Sequence, residues 1–140
     1  MEFNSSILET TNTRARFLFN KIEGKYQKVC YSDILYIEAV NKYVKIVTRK
    51  KVFLVSATMH YLENILPTDL FCRIHRSYII SLEHTEEFDN DSLYIDKKAF
   101  PIGKHYKASL CAKVVTIYSE ATKLAPPMTN TSNGLLKKID

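Results

Sequence analysis

Glycine is scarce in this chain, with 3 in 140 residues. That leaves little room for a Gly-rich loop of the kind that cradles nucleotide phosphates. Cysteine is as scarce and odd in number: Cys30, Cys72 and Cys111, with no C-x-x-C pair. Neither a disulfide framework nor a thiolate zinc site fits that pattern. Cys72 and His75 stand close together, but no second ligand pair follows them. The thiols are expected to be free and buried or half-buried, in a reducing compartment. No Ser–His–Asp order and no His–Glu zinc motif occurs, and the four histidines lie scattered. No catalytic residues, cofactor or metal are therefore expected. No apolar run approaches the length that crosses a bilayer. The start, M-E-F-N-S-S-I-L-E-T-T, lacks the basic opening and apolar stretch of a secretion signal. The expected location is the cytosol, with no membrane partner.

What is present is apolar and basic. Hydrophobic residues make up 46% of the chain, enough to bury one core. The formal charge is +5 and the pI about 9.0. That balance favours nucleic acid or an acidic surface as partner.

The pattern along the chain is mainly β. Residues 1–15 are polar and are expected to form a flexible arm, residues 16–119 a single domain, and residues 120–140 a disordered tail. Ala15–Ile22 and Tyr26–Tyr31 predict two strands around a turn at Glu23-Gly24-Lys25. Ile34–Val40, Tyr43–Thr48 and Val52–Ser56 predict an antiparallel meander, with Val44, Ile46 and Thr48 on one face. Its turns are Asn41-Lys42 and the basic Arg49-Lys50-Lys51. Thr58–Leu66 changes to a helical period (Met59, Leu62, Ile65 or Leu66), with Thr58 as N-cap and Pro67 as stop. His84–Phe88, Ser92–Ile95 and Ala99–Ile102 predict small strands. After Gly103, the spacing of Tyr106, Leu110, Val114 and Ile117 or Tyr118 predicts a helix over Lys104–Ser119. No pair of adjacent helices is available for a helix-turn-helix.

One stretch stands out. Leu70–Leu82 reads L-F-C-R-I-H-R-S-Y-I-I-S-L, with apolar residues interleaved with Arg73, His75 and Arg76. One side can be buried while cations are held on a rigid support, as binding to an anionic polymer requires. Arg73 is expected to bury its stem and pair with an acid. Tyr36, Tyr78 and Tyr94 fit the core better than a stacking surface.

Three blocks together resemble the LytTR DNA-binding domain family. They are D-I-L-Y-I-E-A-V-N-K-Y-V-K-I (Asp33–Ile46), L-F-C-R-I-H-R-S-Y-I-I-S-L, and F-P-I-G-K-H-Y-K-A-S-L (Phe100–Leu110). The resemblance implies a compact antiparallel β-sheet domain, with one short helix after the first meander and a C-terminal helix. It implies loops, not a recognition helix, laid into successive DNA grooves. It further implies a bacterial transcription regulator of the response-regulator type, on promoter direct repeats, with two copies on one duplex. The phosphoreceiver domain common in two-component members does not fit the short N-terminal arm, so that either the protein stands alone or a separate partner supplies the signal. Carried over block by block, the resemblance puts Asn41, Lys42, Tyr43 and Lys45 near DNA from the first loop. It adds His75 and Arg76 from the second, and Lys104 and His105 from the third. Where members often have P-I-S-R-R-Y, this chain has P-I-G-K-H-Y. A lysine holds phosphate as a point charge and lacks the fork that reads guanine. The residues themselves leave a second class open, a β domain binding single strands or RNA through aromatic faces.

Overall fold

The structure, a computed structural model, describes residues 16–119. The expected arm and tail lie outside the described residues. In chain order the elements are β1 (Phe17–Ile22), β2 (Lys25–Cys30), a 3₁₀ turn (Tyr31–Asp33), β3 (Ile34–Val40), β4 (Tyr43–Thr48), β5 (Val52–Val55) and α1 (Met59–Ile65). They continue as β6 (Phe71–His75), β7 (Tyr78–Ser81), β8 (Glu87–Phe88), β9 (Ser92–Ile95), β10 (Lys98–Pro101) and α2 (Lys107–Ala112).

A five-stranded sheet, β5-β4-β3-β7-β6, forms the middle layer. Every pairing in it is antiparallel. Its strands send side chains to opposite faces, as a pleated strand must. Val44, Ile46, Phe71 and Ile79 point to one face and join Val29, Tyr31, Met59 and Leu62 in a core beneath the β1–β2 hairpin and α1. Cys72, Ile74 and Ile80 point to the other and join Leu93, Ile95, Phe100 and Leu110 beneath β8–β10 and α2. Because the sheet is covered on both sides, its central strands are apolar on both faces. The interleaving in Leu70–Leu82 therefore does not mark one buried and one free side. That stretch is a hairpin, with Arg76 and Ser77 in the turn between β6 and β7.

Local chemistry explains the boundaries. The Thr58 hydroxyl accepts the Tyr61 N–H at 3.0 Å and caps α1. Leu66, held extended (ψ 148°) before Pro67, ends it. Two expectations are corrected. The strand over His84–Phe88 shrinks to Glu87–Phe88. The Ser81 hydroxyl accepts the His84 N–H (3.3 Å), and the Thr85 hydroxyl donates to the Ser81 carbonyl (2.8 Å), which bends the chain into a turn instead. The helix over Lys104–Ser119 shrinks to Lys107–Ala112. Only Leu110 of that helix is buried, and beyond it Val115, Ile117 and Tyr118 are 97%, 85% and 92% exposed. A helix this short is held by packing, and of residues 113–119 only Val114 is half-buried, too little to continue it. Among the thiols, Cys72 is buried and Cys30 half-buried as expected, while Cys111 is exposed.

Candidate nucleic-acid interface

Sheet order brings distant loops to one end. Strand β3 lies between β4 and β7. Its last residues lead into the Asn41-Lys42 turn, while the Ala39 N–H donates to the Ser77 carbonyl at 2.9 Å. The β3–β4 and β6–β7 turns therefore sit side by side. The third loop joins them through one bond, in which the Gly103 N–H donates to the Ile74 carbonyl at 2.7 Å. Ile74 is free to accept because the β6–β7 register shifts between Arg73 and His75. Neighbouring strands are about 4.8 Å apart, so the three loops form a row roughly 20 Å long. That is more than half of one helical turn of B-DNA, about 34 Å, and enough to bridge adjacent grooves.

The expected site residues fall along this row with different freedom. Asn41 occupies the left-handed region (φ 54°), which asparagine tolerates in tight turns. Asn41 and Lys42 are exposed, as is Tyr43 opposite Val40. Lys45 is different: it is half-buried and its ammonium lies 3.5 Å from Glu38. The Tyr78 hydroxyl donates to the same carboxylate at 3.4 Å. Burial first, and then the Glu38 charge, raises the pKa of that hydroxyl. Lys45 thus has less charge to offer than Lys42.

His75 ends β6 half-buried, and its Nδ1 accepts the Ser77 N–H at 3.1 Å. It helps to build the turn, in the way a backbone-bonded histidine does. Arg76 is exposed in the same turn, and no carboxylate among the described residues pairs with it. Arg76 forms no ion pair with Glu83, Glu86 or Glu87. Those acids follow β7, at the end of the sheet away from the turn. Lys104 and His105 are exposed in a turn closed by the Tyr106 N–H on the Gly103 carbonyl at 2.9 Å. They precede α2 and do not open it. The expected helix start at Lys104 is corrected accordingly.

One participant did not figure among the expected contacts. Arg73 is expected to bury its stem and pair with an acid, and it does. Its Nη1 lies 3.0 Å from Glu63 of α1, and its side chain is 16% exposed. Beyond that, Nη2 donates to the Arg76 carbonyl (2.7 Å), Nε donates to the His75 carbonyl (3.3 Å), and the guanidinium lies 5.8 Å from the Tyr106 ring centre. None of these partners has a sequence spacing that would reveal it.

Chemically, the row offers a bidentate donor at Arg76, point charges at Lys42 and Lys104, and amide and phenol groups at Asn41 and Tyr43. No group of three His, Cys, Asp or Glu among the described residues is placed to hold a metal. No described helix is long and apolar enough to cross a membrane.

Comparison with known proteins agrees with the fold. A family model described as the LytTr DNA-binding domain matches residues 24–114, more than half of the chain. Among solved structures, a similar one is the LytTr DNA-binding domain of a Bacillus cereus protein described as a methyl-accepting/DNA response regulator. It superposes with a TM-score of 0.62 at 22% identity, covering 71% of this chain and 96% of that one. At that identity the likeness speaks for the fold. No curated protein matches the chain.

Proposed function

Because the chain belongs to the LytTr DNA-binding domain family, we propose that it is a sequence-specific regulator of transcription that grips double-stranded DNA with the loop row at one end of its central sheet. The observation that supports this most is the gathering of three polar, basic loops through the Ala39–Ser77 and Ile74–Gly103 bonds. Lys42 and Lys104 hold phosphates, Arg76 reads a base edge, and Asn41 and Tyr43 contact the groove beside them. His75 shapes the Arg76 turn, and His105 and Lys45 stand at the margins of the contact. The targets are promoter direct repeats occupied by two copies, and the signal comes from a partner. The protein acts in the bacterial cytosol without catalysis.

The test is selection of bound duplexes from a random library, followed by competition. The proposal expects a defined sequence to emerge and to be displaced poorly by single strands or by scrambled duplex. Failure to enrich any sequence would overturn it.

A second reading, as a single-strand or RNA binder, has one observation in its favour. The outer face of the β1–β2 hairpin exposes Phe17, Phe19 and Tyr26. Those rings are partly spent, with the Lys28 ammonium 4.3 Å from the Phe17 ring centre and Lys21 5.3 Å from that of Tyr26. The same competition separates the two, since single strands would then win.

A further inference from the structure

The loop row is built from parts that belong to different elements, and something must set their mutual distance. Base readout tolerates little slack, since a displacement of about an ångström removes a bidentate contact. Two of the three loops, the Arg76 turn and Gly103–Tyr106, meet around one side chain. The Arg73 guanidinium donates to the His75 and Arg76 carbonyls on one side and is held by Glu63 on another. Its centre lies 5.8 Å from the Tyr106 ring centre, within the reach of a cation–π contact. The carbonyl between them, Ile74, accepts the Gly103 N–H. The Tyr106 ring in turn packs on Gly103 so closely that a Cβ there would lie 3.0 Å from Cδ2. Residue by residue this is a closed ring of Arg73, the Arg76 turn, Ile74, Gly103, Tyr106 and back to Arg73, with Glu63 holding Arg73 from outside it.

Resting on the DNA reading above, we propose that Arg73 is a positioning residue that sets the spacing of the second and third loops, and so governs sequence discrimination without touching DNA. A fork of fixed N–H donors can serve two backbone carbonyls and a carboxylate at once, whereas an ammonium offers its donors from a single point. Arg73→Lys keeps the charge and most of the stem but loses the Nε donor and the planar face over Tyr106. The glycine at 103 has a place in the same device. A serine there would push the Tyr106 ring, and with it the surface on which Arg73 rests.

The experiment measures affinity of the full chain for two probes across a salt series. One is a duplex that the wild type selects from a random library, and the other a shuffled duplex of equal composition. For Arg73→Lys, affinity for the selected duplex falls about tenfold or more while the shuffled duplex changes less than about twofold and the salt slope is kept, because no phosphate contact is lost. Glu63→Gln, which spares both carbonyl bonds, lowers the selected-to-shuffled ratio only about threefold, as loss of a part-exposed pair allows. Hydrogen exchange provides a DNA-free readout: in Arg73→Lys the Ser77 and Gly103 amides exchange faster, while Ile80 and Leu93 stay protected, showing an intact core. An unchanged ratio in Arg73→Lys, or an equal fall on both probes, overturns the assignment of Arg73 alone. A wild type that selects no sequence overturns the DNA proposal and this one with it.

Discussion

The two ends of the central sheet carry turns of similar charge, set differently in the fold. At one end stand Lys42, Arg76 and Lys104, exposed, with no carboxylate partner among the described residues. At the other stands Arg49-Lys50-Lys51, the densest basic run on the sheet. There the backbone is tied into the turn, while the cations remain exposed without a carboxylate partner among the described residues. The Thr48 hydroxyl accepts the Lys50 and Lys51 N–H groups (3.2 and 3.0 Å) and donates to the Lys51 carbonyl (2.7 Å). The Arg49 N–H donates to the Asp33 carbonyl at 3.0 Å, and its guanidinium reaches His84 Nδ1 at 3.4 Å. His84 Nε2 donates to the Ser32 carbonyl at 2.7 Å, and Glu86 and Asp96 line the same cleft. Lys51 lies 5.0 Å from the Phe53 ring centre. The cations of one short turn present a single point of charge, whereas cations that several strands bring side by side line a surface that a polyanion can follow. A run of basic residues in a sequence is thus weaker evidence of a binding site than single cations that several strands bring together.

Substitutions at the two ends should separate binding from stability. The largest effect is expected from Arg76→Ala, which should cost about 1–3 kcal/mol on the selected duplex, relax discrimination at one base position and leave the melting temperature unmoved. Titrations on selected and scrambled duplexes check this. The reverse outcome is expected at the far end. Thr48→Val strips the turn of its hydroxyl bonds, and with Thr48 8% exposed, the loss should be about 1–3 kcal/mol of unfolding free energy in urea. DNA affinity should stay as in the wild type. Lys42→Ala should weaken all duplexes alike and reduce the salt slope by about one. Lys50→Ala should change neither affinity nor stability beyond about 0.5 kcal/mol, and a Lys50 effect as large as that of Lys42 would erase the distinction between the ends.

The smallest effect concerns pH. Asp89 does for the β8–β9 turn what Thr48 does for its own. The backbone N–H groups of Asp91 and then Ser92 hold its pKa below the ordinary carboxylate value. Its contribution is present above the unfolded carboxylate range and is lost as pH falls through the depressed folded value. Asp89→Asn should therefore lower stability slightly near neutrality, leave it unchanged at strongly acid pH, and so flatten the acid limb of a stability–pH curve.

Much of the fold is legible from period and punctuation. Tyr43–Thr48 is found to its ends because Val44, Ile46 and Thr48 alternate cleanly and both flanks are polar turns. The helix α1 is found from Thr58 and Pro67, whose effects are local. The C-terminal helix is overextended because the helical spacing of Tyr106, Leu110, Val114 and Ile117 runs on past Leu110, where Ile117 has no surface to pack on. The β-branched run Val114-Val115-Thr116 adds to the cost of continuing. For the candidate site, the three blocks point to loops that the sheet brings to one end, but not to what unites them. That union rests on a register shift in β6 and on Arg73 reaching residues 63, 75, 76 and 106. Contacts of this kind arise only after the chain is folded.

The central claim concerns which end of the sheet meets DNA, and backbone amide shifts in a titration with the selected duplex address it directly. Shifts confined to residues 41–45, 75–77 and 103–106, with Arg49, Lys50 and Lys51 unmoved, are what the account predicts. Shifts centred on residues 49–51, or on the β1–β2 hairpin, would contradict it.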